Sequence, residues 1–172
     1  MKKRSKTTAI MGLFIALAMV LAYVEAILPP LFSAVPGIKI GLANIVIIFL
    51  LYRKGALPAA VVSVIRIVLI TMLFGNFMSL LYSLAGGFLS LFVMIILKRF
   101  NLFSTVGVSV CGAIFHNIGQ VLMAMLLLDT TQFAYYLVVL LVTGTIAGVF
   151  IGIGGSLLVK RFPQRYIDRQ YS

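Results

Sequence analysis

The chain has 172 residues, of which 63% are hydrophobic and 10% charged, with a mean hydropathy of +1.21. Soluble domains run at about 45–50% apolar, so a soluble fold is excluded and an integral membrane protein is expected. Fourteen Lys and Arg against three acidic residues give a formal charge of +11. Those cations flank apolar runs, where they set orientation and meet anionic headgroups, so nucleic acid is not their partner.

Six apolar runs follow in order, each read as a transmembrane helix. The first covers about 8–28. Its MKKRSK start resembles a signal peptide with Val24-Glu25-Ala26 as a cleavage site, but the apolar run is longer than a signal h-region. Ala18, Ala22 and Ala26 recur every fourth residue on the side of Glu25, and Gly12 and Ala16 form a second small pair. Such stripes let another helix approach closely, and Ala18, Ala22 and Ala26 are expected to receive one, the chain's own or a partner's. An uncharged connection, LPPLFSAVPG, leads through Lys39 into a short second span, about 38–52, which contains Asn44. That length implies local thinning or a loop that dips in over a pocket.

The third span, about 57–74, carries Arg66 near its middle. A central Arg costs about 2.5–3.5 kcal/mol on the lenient insertion scale, so it must face a cavity, the bundle interior or a counter-charge. The fourth, about 78–97, holds Gly86-Gly87, which permits close packing or a kink. The fifth, about 106–128, contains GAIFHNIGQ, three strongly polar side chains inside an apolar run. On a helix His116, Asn117 and Gln120 share a sector of about 100° with Gly112 and Ala113. Interhelical hydrogen bonding and a binding site are both consistent with that face. The sixth, about 133–159, repeats Gly144, Gly148 and Gly152 with Gly155 on the same face, a packing seam.

All cations but Lys39 and Arg66 fall at the N-terminus, the second-to-third and fourth-to-fifth turns, or the C-terminus. The positive-inside rule then gives one all-α membrane domain, 1–172, a six-helix bundle with both termini cytoplasmic. Glu25, Lys39, Asn44, Arg66, His116, Asn117 and Gln120 all lie at or outward of the midplane and are the candidate solute-binding residues. The ionisable set of such a pocket is Lys39, Arg66 and His116 against Glu25 and Asp129. Arg66 is compensated either by Glu25 or by an anionic solute. Cys111 is alone, and neither a disulfide, a metal site nor a cofactor is expected.

The strings VEAILP, PGIKIGLANI and GAIFHNIGQ resemble the membrane family recorded as heptaprenyl diphosphate synthase component I, also called the Gx transporter family. The resemblance covers nearly the whole chain. Its architecture is similar to that of the S components of energy-coupling factor transporters. This implies a multi-pass subunit of the bacterial plasma membrane that binds a small solute from outside and depends on membrane coupling and ATPase subunits in trans. In those proteins a small-residue stripe on the first helix meets the coupling subunit, and the following loop caps the substrate. The Ala18, Ala22, Ala26 stripe and the loop at 29–37 fit those roles.

The family name raises an alternative, a non-catalytic subunit attached to a prenyl synthase or a quinone or redox complex. Catalysis by the chain itself is not expected. Glu25, Asp129 and Asp168 are dispersed, whereas Mg²⁺ and diphosphate require clustered carboxylates. There is no GxxxxGK[ST] loop for ATP either.

Overall fold

The structure is a computed structural model that describes residues 2–27, 41–101, 103–132 and 134–162, with the side chains of 2–6 left aside. Among the described residues it is all-helical: α1 (Lys2–Ile27), α2 (Asn44–Arg53), α3 (Ala56–Phe74), α4 (Phe77–Arg99), α5 (Thr105–Leu128) and α6 (Ala134–Arg161). All but α2 are long and apolar enough to cross a membrane. Large apolar side chains such as Leu13, Met72, Phe88, Phe92, Leu126 and Phe150 cover the outside. In water that surface would be a severe liability, and in a bilayer it is the natural solvent contact. The chain is a multi-pass membrane protein.

Local chemistry sets the helix boundaries. Gly55, at φ 95°, turns the chain between α2 and α3, a conformation that glycine adopts without a Cβ penalty. Asn76 begins α4 with a reciprocal capping box: its side chain accepts from the Ser79 N–H, and its own N–H donates to Ser79 Oγ, both at 2.8 Å. Ser104 accepts from the Gly107 N–H at 3.2 Å to start α5. Each cap satisfies donors that the first helical turn leaves open.

The second helix departs from expectation. Gly41 sits at φ 79° and its carbonyl accepts from the Asn44 N–H at 2.8 Å, so 41–43 form a turn and the helix begins at Asn44 rather than 38. Residues 38–40 lie outside the described region. The ten residues of α2 cover about 15 Å at 1.5 Å per residue, half a bilayer core. Val46 to Leu51 are all buried, so the other helices, and not lipid, surround it. A helix apolar around its whole circumference is what such a position calls for.

Packing follows the small residues. On α6 a Cβ at Gly148 would lie 2.8 Å from Val110 Cα, and one at Gly152 2.8 Å from Val106 Cα, so α5 and α6 touch backbone to backbone. Gly155 takes Ile48 of α2. The seam expected from the glycine repeat is therefore internal packing. Gly86 admits the His116 carbonyl of α5, and Gly87 admits Ile67 of α3, so the glycine pair of α4 serves close approach on two sides.

The alanine stripe of α1 also turns inward. Ala18 is 0% and Ala22 8% exposed, and Ala18 belongs to the core with Ile47, Leu50 and Val62. Of the two neighbours the stripe could receive, the chain's own helices or a partner's, Ala18 and Ala22 face the chain's own, which removes both from the set available to an outside partner. The outward face of α1 instead presents Gly12, Leu13, Ala16, Leu17 and Val20, with Ala26 exposed at the far end.

The helix ends assort by charge. Arg53, at the end of α2, donates to the Val159 carbonyl of α6, while Lys98, at the end of α4, donates to the Leu51 carbonyl and stands 5.3 Å from the Tyr52 ring. Cations thus meet the unsatisfied carbonyls where three helices terminate. Phe49 meets Phe14 of α1 in a tilted contact at 5.8 Å and Phe162 edge-to-face at 6.3 Å, which brings the first half of α1 and the end of α6 to this same basic end. At the other end Tyr23 of α1 meets Phe74 of α3 at 5.6 Å.

Candidate functional site

A cavity of about 230 Å³ lies toward that second end, lined by residues of all six helices. Glu25 comes from the last turns of α1, Asn44 from the first residue of α2, and Arg66 from the middle of α3. His116, Asn117 and Gln120 project from one face of α5. Six of the seven solute-binding candidates therefore share one cavity. Lys39 and the loop at 29–37 lie outside the described residues. Asp129 does not line the cavity. It ends α5 in the left-handed conformation, φ 47°, exposed at the surface.

Arg66 dominates the electrostatics. Its Nε is buried with no hydrogen-bond partner, and Glu25 is the carboxylate whose charge acts on it. Glu25 is itself held by the Gly41 N–H, which donates to Oε1. The turn that shortens α2 thus also delivers a backbone donor to the cavity wall. Among the described residues no hydrogen bond joins Glu25 to Arg66, so each keeps capacity for a third group. An uncompensated buried polar group costs about 1–3 kcal/mol, more when charged, which makes the open Nε the point of highest demand in the wall.

The α5 face is built by glycine. Asn117 Nδ2 donates to the Leu140 carbonyl of α6 at 2.6 Å, and a Cβ at Gly144 would collide with that nitrogen. Gly144 therefore makes room for the amide to cross between helices. Asn117 serves as interhelical tie and cavity wall together, so the two readings of this face are not exclusive.

Thr71, Ser79, Ser83 and Thr143 also line the cavity and were not singled out from the sequence. Thr71 Oγ1 donates to the Ile67 carbonyl at 2.6 Å and Thr143 Oγ1 to Val139 at 2.8 Å, the bonding that hydroxyls make in any apolar helix. Their only advance signal is the four-residue spacing of Ser79 and Ser83 on one face of α4. Among the described residues no three His, Cys, Asp or Glu side chains are grouped to hold a metal.

The model of the heptaprenyl diphosphate synthase component I family matches residues 14–158. The chain belongs to this family. No curated protein and no solved structure matches it. The matched segment runs from the first half of α1 into the last turns of α6 and encloses every residue of the cavity wall, from Ala22 to Ala147. Among the described residues the cavity wall holds one carboxylate, Glu25.

Proposed function

We propose that this component I chain is a solute-binding membrane subunit, similar in kind to the S components of energy-coupling factor transporters. It would take a small polar solute from the extracytoplasmic side and draw energy from partner subunits. The observation that supports this most is the convergence of Glu25, Asn44, Arg66, His116, Asn117 and Gln120 on one cavity, with the Arg66 Nε open. The open, buried Nε of Arg66 is donor capacity that the interhelical ties leave unused and that a bound solute can take up. The orientation follows from charge. Arg53, Lys54, Lys98, Arg99, Lys160 and Arg161 end helices or begin turns at the opposite end, and the positive-inside rule assigns that end to the cytoplasm.

The cavity volume favours a small metabolite, below the about 300–1,000 Å³ of pockets for drug-sized ligands. A heptaprenyl chain is several times too long to fit. A coupling partner, if it meets α1, has the Gly12–Ala16 face available rather than the buried Ala18 and Ala22.

The family name favours a second reading, a membrane subunit that accompanies a prenyl diphosphate synthase component. Purification in mild detergent followed by native mass spectrometry separates the two. A small polar solute retained by the wild type and lost by Arg66→Gln supports solute binding. A stoichiometric synthase component with no retained solute supports the second reading.

A further inference from the structure

The hydrogen-bonding capacity left over in the cavity bears on the ligand's charge, given the solute-binding reading above. The Thr71 and Thr143 hydroxyls spend their protons on the Ile67 and Val139 carbonyls, at 2.6 and 2.8 Å, and so face a ligand as acceptors. Asn117 has committed one amide N–H to Leu140, which leaves its Oδ1 and its second N–H. Among the described residues Glu25 accepts from the Gly41 N–H and keeps its other acceptor sites for a ligand. Opposite these acceptors stands, among the described residues, one fixed cation, Arg66, with Nε buried and open.

Charge balance narrows the choice. Among the described residues of the wall the two full charges, Glu25 and Arg66, sum to zero within a site set among membrane helices. A simple anion would leave that wall with a net negative charge and a simple cation with a net positive one, each expensive in a low-dielectric setting. A ligand that carries both signs keeps the sum at zero and serves both groups.

We propose that this cavity binds a small amphoteric solute, with a carboxylate for Arg66 and a protonated or N–H-bearing nitrogen for Glu25 and the threonine oxygens. At about 30 Å³ per water-sized group, the 230 Å³ available holds on the order of ten non-hydrogen atoms. That is the size of an amino acid or a small N-heterocyclic acid.

The test measures the thermal unfolding midpoint of the detergent-purified full chain with three defined equimolar pools. One holds L-α-amino acids and N-heterocyclic carboxylic acids, the second the matching carboxylic acids without nitrogen, the third the matching amines. The first pool alone should stabilise the wild type. Affinity for its best compound should fall about ten- to a hundredfold in Arg66→Gln, the loss of one charged hydrogen bond. Glu25→Gln should move the response to the simple carboxylates, a change of preference that a purely structural role would not produce. Should a single variant fail to fold, the electroneutral double variant Glu25→Gln/Arg66→Gln keeps the test open, and it should respond to no pool. Stabilisation by the carboxylate pool equal to that by the amphoteric pool, an unchanged ranking in Glu25→Gln, or silence from all three pools overturns the proposal. A simple anion or neutral solute found by native mass spectrometry would refute the amphoteric assignment alone and leave solute binding standing.

Discussion

Arg66 can be followed from sequence to cavity, because the cost of a mid-span guanidinium predicts that it faces the bundle interior, a cavity or a counter-charge, and it lines the cavity together with Glu25. Replacing it removes a charge but leaves Glu25 with a backbone N–H and, among the described residues, no opposing cation. Arg66→Gln should lower the stability of the unliganded protein by about 1–2 kcal/mol, less than the about 3–5 kcal/mol of breaking a dry contact pair, since the two groups are not hydrogen-bonded and line a cavity. Glu25→Gln in the same chain should recover most of the loss, and melts of the four proteins in one detergent measure that coupling. A double variant as unstable as the sum of the singles would show that the two charges do not compensate each other. The α5 trio was equally legible, because three strongly polar side chains in an apolar helix share one sector. The hydroxyls of Thr71 and Thr143 were not, since a Thr that bonds its own helix looks the same in sequence whether it faces a cavity or a neighbour.

Helix by helix, apolar length and flanking cations, Pro or capping residues locate five elements within about two residues at most ends, apart from the basic start of α1, which already belongs to the helix. The start of α2 escaped because Ile38 to Tyr52 reads as one apolar run, and the positive φ of Gly41, which ends the helix short of it, has no signal in that pattern beyond the glycine itself. The alanine stripe escaped for a different reason: small residues report that a helix comes close, not whose helix it is. The glycines of α6 and α1 turn that distinction into a measurement. Gly148→Ala would force a Cβ to 2.8 Å from Val110 Cα, where backbone cannot yield, and should destabilise by about 1–3 kcal/mol. Gly12→Ala meets nothing within 4 Å and should be neutral or stabilising by up to about 1 kcal/mol. Equal melts for the two would mean that α5 and α6 are not in backbone contact. Ala18→Leu should likewise unfold the bundle, whereas Ala16→Leu should fold, bind solute as the wild type does, and lose only complexes formed across the outer face of α1. Size-exclusion chromatography of the co-expressed partners distinguishes those outcomes.

For the whole molecule the outstanding quantity is its direction in the membrane, and three ring contacts with two helix-end bonds make it a single choice. The first half of α1, the start of α3 and the ends of α2, α4 and α6 share the basic end, while the Tyr23–Phe74 pair and the Asn76 cap mark the other. One labelled position on each end therefore fixes every helix. Arg99 and Gln132 suit the purpose because both are exposed. They are better than Lys98, which is tied to the Leu51 carbonyl, and Asp129, whose φ of 47° would strain a cysteine. In a Cys111→Ala background, an impermeant thiol reagent applied outside intact cells should label Gln132→Cys and spare Arg99→Cys, and permeabilised cells should label both. The opposite pattern would turn the cavity toward the cytoplasm and remove the extracytoplasmic solute reading, because the wall that holds Glu25 and Arg66 would then open to the inside. Positive-inside bias argues against that inversion: the described ends that carry Arg53, Lys54, Lys98, Arg99, Lys160 and Arg161 would all have to face outward, away from the anionic leaflet that attracts each by about 1 kcal/mol.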